Sequence, residues 1–361
     1  MQLELIDPYS TQAEQIWRDL EEATPRSFFV SWPWIENWLA CIPRELDARV
    51  AVLRDEERPV AAFCLVRRTV ARLPMLGSRA LYLNATGIPR FDSVFIEYNG
   101  LVGRDLWIGK LVDAMPDDWD ELFLPGLRVD AFGGLIETVI RGFRVRLERT
   151  VPVHYVDLAR VRTDGYLKLL GSQTRSQIRR AQREAGELIV EIATEVETAL
   201  SIYRELVALH QAQWQAKGQP GAFGDPWFDR FHRRLIAQRF RHGEIQLVRV
   251  RSRLGTLGTL YNFVYKGRVL QYQSGMAQLA NPHLKPGYLS HAVAIDHAAA
   301  SGLDVYDFLA GDRRYKRSLS TDHTSLLWAR VQRPRLRFLL EDRLRDWARA
   351  RRPAASDTAR S

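Results

Sequence analysis

Residues 244–316 read EIQLVRVRSRLGTLGTLYNFVYKGRVLQYQSGMAQLANPHLKPGYLSHAVAIDHAAASGLDVYDFLAGDRRYK, and this stretch decides the fold. Three runs rich in β-branched and aromatic residues follow one another at 244–251, 256–265 and 268–276. The separators at 252–255 and Lys266-Gly267 are hairpin-length, so the three strands are expected to be antiparallel. Residues 286–301 then place apolar side chains at helical spacing (Leu289, Ala292, Val293, and 295–299), and Gly302 ends the helix. Val305-Tyr306-Asp307-Phe308-Leu309 is again a strand. With a helix between them, this strand and 268–276 should lie parallel through a right-handed crossover. The window predicts an α/β chain of the α+β mixed-sheet kind.

Outward from that window, the same vocabulary recurs. Helices are expected at 166–170, 173–185, 197–217 and 225–241, with a strand at 187–193. A short helix at 313–320, a last strand at 325–331 and a basic amphipathic helix at 335–351 follow. Upstream, a strand at 2–6, a helix at 10–23, and strands at 48–54 and 59–71 around the turn Asp55-Glu56-Glu57-Arg58 are expected. Ser31 is placed as the N-cap of a helix bearing Trp34 and Trp38 on one face, with Pro33 in its first turn. The run LDARVAVLRDEERPVAAFCLV at 46–66 parallels GEIQLVRVRSRLGTLGTLYNF at 243–263. Each is a strand, a charged turn and an apolar strand after a Trp-bearing helical region, which reads as an internal repeat; the alternative is that any two hairpins look alike. The division expected is 1–152, 153–331 and 332–361.

Composition bounds the function. The chain has 361 residues, 46% of them hydrophobic and 26% charged, and a net charge of +9. That is ordinary globular composition with a bias toward anionic partners. Only six of the 52 basic residues are Lys, so the Arg excess reflects composition and the Lys positions are the more selective. Cys41 and Cys64 have no metal-ligand spacing and read as buried thiols, and a cytoplasmic setting is expected. The N-terminus lacks a signal-peptide pattern, and no apolar run approaches the ~20 residues of a membrane span. GxGxxG, Walker, HExxH and nucleophile-elbow patterns are absent, and no metal is implied.

Two segments carry the chemistry. In Asn281-Pro282-His283-Leu284-Lys285-Pro286-Gly287-Tyr288-Leu289, Pro286 suits the first helical turn and Gly287 lets a ligand approach the backbone. Free amides at Gly287, Tyr288 and Leu289, with Lys285 and His283 nearby, would cradle a pyrophosphate; the bland alternative is an ordinary helix start. In Asp307-Phe308-Leu309-Ala310-Gly311-Asp312-Arg313-Arg314-Tyr315-Lys316, Asp307 interrupts an apolar strand, and Tyr315 and Lys316 follow close to the strand end. Ligands of open α/β sheets bind at the carboxyl ends of parallel strands, and both segments lie there.

These residues resemble the GNAT acyltransferase superfamily, above all its divergent CelD-like branch, itself similar to FemAB-type aminoacyltransferases. The resemblance is specific over 153–331, and 31–66 and 84–100 share it, which implies two tandem GNAT-like halves. The usual pyrophosphate motif Q/R-x-x-G-x-G/A meets Leu284, Gly287 and Leu289 here, so only its central Gly remains. The resemblance implies acetyl-CoA, or another acyl-CoA, held by the backbone of Gln273, Ser274, Gly275 and Met276, and of Phe308 and Leu309. Lys285, Pro286, Gly287, Tyr288, Leu289 and Lys316 would complete the cofactor site. A backbone N–H near 274–276 would hold the thioester oxygen. Tyr315 would protonate the thiolate, with Asp307 as general base and His291 as second candidate.

Arg175, Arg179 and Arg183 share a helical face that suits an anionic acceptor or the cofactor's phosphates, or is simply solvated. Gln211 and Trp214, with Trp32, Trp34 and Trp38, suit a sugar-stacking wall, although most such aromatics are core. The leading function is acetyl transfer to an amine or hydroxyl of a small molecule, sugar or polysaccharide precursor. A FemAB-like aminoacyl-tRNA-dependent transfer is the alternative. A non-catalytic binder of anionic polymer or membrane surface is the third reading, supported by ten Arg against four acids over 330–361.

Overall fold

A computed structural model of the chain describes all residues except 25–26, 74–75, 95, 105–107, 130–141, 342 and 344–361. Most of the basic helix expected at 335–351 and all of the tail lie outside the described residues.

The strands are β1 (Gln2–Ile6), β2 (Arg49–Asp55), β3 (Arg58–Leu73), β4 (Leu76–Leu83), β5 (Val102–Gly103), β6 (Glu121–Arg128), β7 (Arg144–Asp157), β8 (Ile189–Ile192), β9 (Ile245–Ser252), β10 (Gly255–Tyr265), β11 (Arg268–Met276), β12 (Val305–Ala310) and β13 (Asp322–Gln332). The helices are α1 (Thr11–Ala23), α2 (Trp32–Cys41), α3 (Ile108–Ala114), α4 (Leu158–Asp164), α5 (Tyr166–Leu169), α6 (Ser172–Ala185), α7 (Val196–Gln215), α8 (Pro226–Arg239), α9 (Pro286–Ala300) and α10 (Arg314–Leu319).

All the described strands join one sheet, in the order β1-β2-β3-β4-β6-β13-β7-β12-β11-β10-β9-β8, with β5 on β3. The order reads as two similar halves. On one side β1 to β4 are antiparallel and β4 is parallel to β6. On the other β8 to β11 are antiparallel and β11 is parallel to β12. The hairpins β2–β3 and β9–β10, which carry the repeated sequence, hold corresponding places. The crossover through α9 gives the expected parallel pair.

The middle of the sheet departs from two side-by-side units. β7 follows β6 in sequence but pairs with β12, while β13 follows β12 but pairs with β6. The two exchanged strands then pair with each other from Asp322↔Tyr155 to Gln332↔Arg144. β7 therefore runs unbroken through residues 152 and 153.

An aromatic core joins the halves. Trp34 of α2 packs edge-on against Phe28, Phe29, Phe231, Phe263 and Tyr272, mixing residues from both. Burial of each such side chain contributes roughly 1.5–3 kcal/mol. Asn37 Nδ2 donates to the Phe231 carbonyl at 3.2 Å and Trp227 Nε1 to the Cys41 carbonyl at 2.7 Å, tying α2 to α8. Ser31 precedes α2 as expected, but its hydroxyl donates to the Phe28 carbonyl, and Glu21 instead accepts from the Trp32 amide. Trp32, Trp34 and Trp38 are buried, the core placement weighed against a sugar wall. Both cysteines are free thiols. Among the described residues no helix is long and apolar enough to cross a membrane, and no cluster of His, Cys, Asp and Glu is placed to hold a metal.

Candidate active site

The parallel strands β11 and β12 pair only at Arg268↔Val305, Val269↔Tyr306 and Leu270↔Asp307. Beyond that point they part. β11 continues with Gln273, Ser274, Gly275 and Met276 paired to β10 on its other side. β12 bulges, with Leu309 at φ 60° and a register slip against β7 between Asp307 and Ala310. A left-handed non-glycine residue is strained by about 1–3 kcal/mol and needs neighbours to hold it. Here they are side chains. Asp307 Oδ1 accepts from the Leu309 amide at 2.7 Å, and Lys316 Nζ donates to the Leu309 and Ala310 carbonyls at 3.1 and 2.8 Å.

Four charged groups and a tyrosine converge on the bulge. Asp307 is fully buried, and its Oδ2 accepts from the Tyr98 hydroxyl at 2.5 Å and from Arg268 Nη2 at 2.8 Å. Glu97 Oε2 accepts from the Ala310 amide at 2.5 Å. Burial pushes the Glu97 carboxyl up to about 7, opposed by the Ala310 amide, Lys316 and Arg149. Burial likewise lowers the Lys316 ammonium, with Glu97 and Asp307 acting against it. Tyr98 is held well above the ordinary phenol range by burial and by the Asp307 carboxylate.

Across the parting, α9 follows its N-cap Lys285, itself left-handed with φ 44° and ψ 60°. Of the three amides expected to be free, those of Tyr288 and Leu289 donate to the Lys285 carbonyl at 2.9 and 3.2 Å. The tight first turn closes on itself and leaves the cradle to Gly287. A side chain at Gly287 would meet only Met276, at 3.9 Å, so the space beside it is open. Ser290, one turn in, has a buried hydroxyl without a partner. Open space at Gly287, an unpartnered hydroxyl one turn on and two parted strands leave room for a ligand here. Leu289 of α9 and Leu284 in the loop before it are buried in the core. Gly275 has a packing reason: an added Cβ would stand 2.6 Å from the Leu206 carbonyl of α7.

His291 and Tyr315 are stacked, ring centroids 5.6 Å apart, with His291 Nδ1 3.1 Å from the Tyr306 hydroxyl. Burial lowers His291 to about 3, so it is neutral at ordinary pH. Burial raises Tyr315 to about 12, so it keeps its proton.

The remaining sequence candidates lie elsewhere. Arg175, Arg179 and Arg183 of α6 have no ion pair among the described residues. Neighbouring Arg180 reaches Glu184 at 3.9 Å, and Glu184 accepts from Asn281 Nδ2, so the stripe flanks the loop entering α9. Gln211 Nε2 donates to the Pro220 carbonyl, and Trp214 packs on His210 under Lys217. Both serve the turn after α7 and are not brought to the parting.

Glu97, Tyr98, Arg268 and Arg149 were not singled out from sequence. Glu97 carries the signal that marked Asp307, an acid between apolar residues, but it lies outside any strand or helix. The loop at 84–99 also lines a cavity of about 380 Å³ with Phe123, Arg149 and Trp328. The cavity lies where β4 and β6 part, since their pairing stops at Tyr82↔Phe123. β6 and β12 run in opposite senses. The end of β6, Arg128, stands opposite Leu326, and the end of β12, Ala310, stands opposite Val153, which faces Thr324. The two partings therefore open toward each other across the exchanged strands.

A mixed sheet whose parallel pair parts beside a helix entrance, with buried proton-carrying groups at the parting, is a scaffold for group transfer. The comparisons agree. Residues 172–317 match the family model of an acetyltransferase (GNAT) domain. No curated protein matches the chain by sequence. FemX shares the fold over 94% of this chain and 100% of its own, with 14% identity and a TM-score of 0.51. A C-terminal domain assigned to a lysylphosphatidylglycerol synthetase of Agrobacterium fabrum does so over 94% and 96%, with 12% identity and a TM-score of 0.54. L-PGS from Bacillus licheniformis does so over 97% and 99%, with 10% identity and a TM-score of 0.52. Residues 172–317 therefore carry a GNAT acetyltransferase domain, whose chemical class is acyl transfer, within a fold that these solved structures share along most of the chain.

Proposed function

We propose that the chain transfers an acetyl group from acetyl-CoA to an amine or hydroxyl, with the donor between β11 and β12 and the acceptor approaching from the half formed by residues 1–152. The observation that carries this reading is Glu97. It is a buried carboxyl at the end of the parted strands with only one oxygen, Oε2, engaged among the described residues. Asp307, by contrast, has both oxygens taken by Tyr98, Arg268 and the Leu309 amide. That favours Glu97 as the base and gives Asp307, with Lys316, the task of holding the bulge.

Gly287 and the backbone of 273–276 would hold the donor, which supplies the activated acyl group. Glu97 takes the acceptor's proton when deprotonated, and a base near neutrality is well matched to that task. Tyr315 holds a proton for the departing sulfur. His291, neutral and stacked on Tyr315, orients that ring. Arg175, Arg179 and Arg183 flank the same entrance, and this stripe, without an ion pair among the described residues, equally suits the acceptor end of an aminoacyl-tRNA.

Isothermal titration separates the donors. Acetyl-CoA should bind saturably, and Gly287→Glu should abolish binding while leaving the fold intact, because the new side chain enters open space and sets an anion against a phosphate. Binding of aminoacyl-tRNA in place of acetyl-CoA would move the donor assignment to the aminoacyl class.

A further inference from the structure

We propose that the cavity at the β4–β6 parting seats the acceptor, and that this acceptor is an α-amino acid with a bulky apolar side chain. The proposal rests on the acyl-transfer reading above. The cavity of about 380 Å³ is at the small end of the roughly 300–1,000 Å³ range of ligand sites. Its walls are largely apolar, with Trp38, Phe91, Ile96, Phe123, Pro125 and Trp328 among them.

Most polar side chains in those walls are already committed. Asn84 accepts from the Cys64 amide at 2.6 Å and donates to Asn99 and the Gly100 carbonyl. Asp92 accepts from the amides of Thr86 and Gly87. Trp38 Nε1 donates to the Phe91 carbonyl, and Ser93 Oγ to the Arg90 carbonyl. A polyhydroxylated ligand would lose its water here and find few replacement partners, whereas an apolar body would lose nothing.

Arg149 is the charged exception. Its guanidinium lies 4.1 Å over the Trp328 ring and has no carboxylate within ion-pair distance among the described residues. An Arg so placed is a fork awaiting a carboxylate. Its charge is felt at Glu97, the residue after Ile96 of the cavity wall. Ala310, whose amide Glu97 holds, packs in the same apolar cluster as Trp328. Arg149, Glu97 and the apolar cavity thus present a carboxylate site, an amine site and a side-chain site side by side, the three groups borne by the α-carbon of an amino acid. The amine nitrogen forms the new C–N bond as the donor's C–S bond breaks. Its proton passes to Glu97, the departing sulfur takes one from Tyr315, and both residues reset by exchange with solvent.

The test is direct binding to the full chain, read by calorimetry and by fluorescence of the cavity tryptophans. L-phenylalanine and L-leucine should bind without donor. Arg149→Gln, an exposed position, should weaken L-phenylalanine roughly tenfold to a hundredfold. Phenethylamine, which lacks the carboxylate, should be insensitive to the change. Absent binding of both amino acids, equal binding of L-phenylalanine by wild type and variant, or tighter binding of glucosamine overturns the proposal. Titration with acetyl-CoA runs beside it. If acetyl-CoA binds and no amino acid does, the acceptor class alone falls. If amino acids bind and acetyl-CoA does not, the donor reading alone falls.

Discussion

Replacing Glu97 by Gln removes a titrating group whose folded and unfolded states differ sharply, and the consequence can be worked out before any substrate is known. The folded chain holds the Glu97 carboxyl at about 7, against an ordinary 4.5, mainly because it is buried. A raised carboxyl means that the unfolded chain releases this proton at a lower pH than the folded one. Stability from this site is therefore fully present at low pH and declines as pH rises from about 4.5 to about 7. At about 1.4 kcal/mol per tenfold, the change from pH 5 to pH 8 comes to about 2.5 kcal/mol. Gln cannot ionise, so wild type should lose about that much more stability than Glu97→Gln over this interval. Urea unfolding of both proteins at the two pH values measures it, and groups common to both cancel. The same substitution should lower kcat by roughly 10²–10⁴ and remove the acidic limb of the pH–rate profile near 7. A stability difference that stays constant from pH 5 to pH 8 would refute the argument, because Glu97 would then titrate as an exposed carboxylate.

Lys316→Met should move the acidic limb of kcat/KM to higher pH, since Lys316 is one of the charges holding the Glu97 carboxyl down; a downward shift contradicts the placement. Gly275→Ala should destabilise by about 1–3 kcal/mol, because the new Cβ would press on the Leu206 carbonyl and on Leu209. Gly287→Ala, in open space within a helix, should be neutral or up to about 1 kcal/mol stabilising. Thermal unfolding of the two glycine variants reads the contrast.

Much of the architecture was legible in the residues. The strands at 245–276 are marked by β-branched and aromatic runs with hairpin-length separators, and α9 by its spacing between Pro286 and Gly302. Both signals are local, and local signals survive folding. The partners of β7 and β13 were not legible, because each strand carries only its own alternation. Which neighbour it takes depends on where the rest of the chain has gone. The site divided in the same way. Asp307 stood out as an acid in an apolar strand, but its partners Tyr98 and Arg268 lie 209 and 39 residues away in sequence. Glu97 had the same signature without a regular element around it to make the anomaly visible. Gly275 entered the reading only through the strand that the resemblance implies would hold the cofactor, and the packed helix α7 gives its missing side chain a reason the sequence does not show.

The exchange of β7 and β13 sets a timetable for synthesis. When β6 leaves the ribosome, its lasting neighbour on one side is a strand that begins at Asp322. About 200 residues must still be made, which at 5–20 residues per second takes roughly 10–40 s. Throughout that interval one flank of β6 carries unpaired backbone groups, an invitation to pair with another nascent chain. Neither half can be completed as a separate polypeptide, since each would release one strand and lack another. A gene cut near residue 152 should yield two fragments that fold only together, with β13 closing the seam between them.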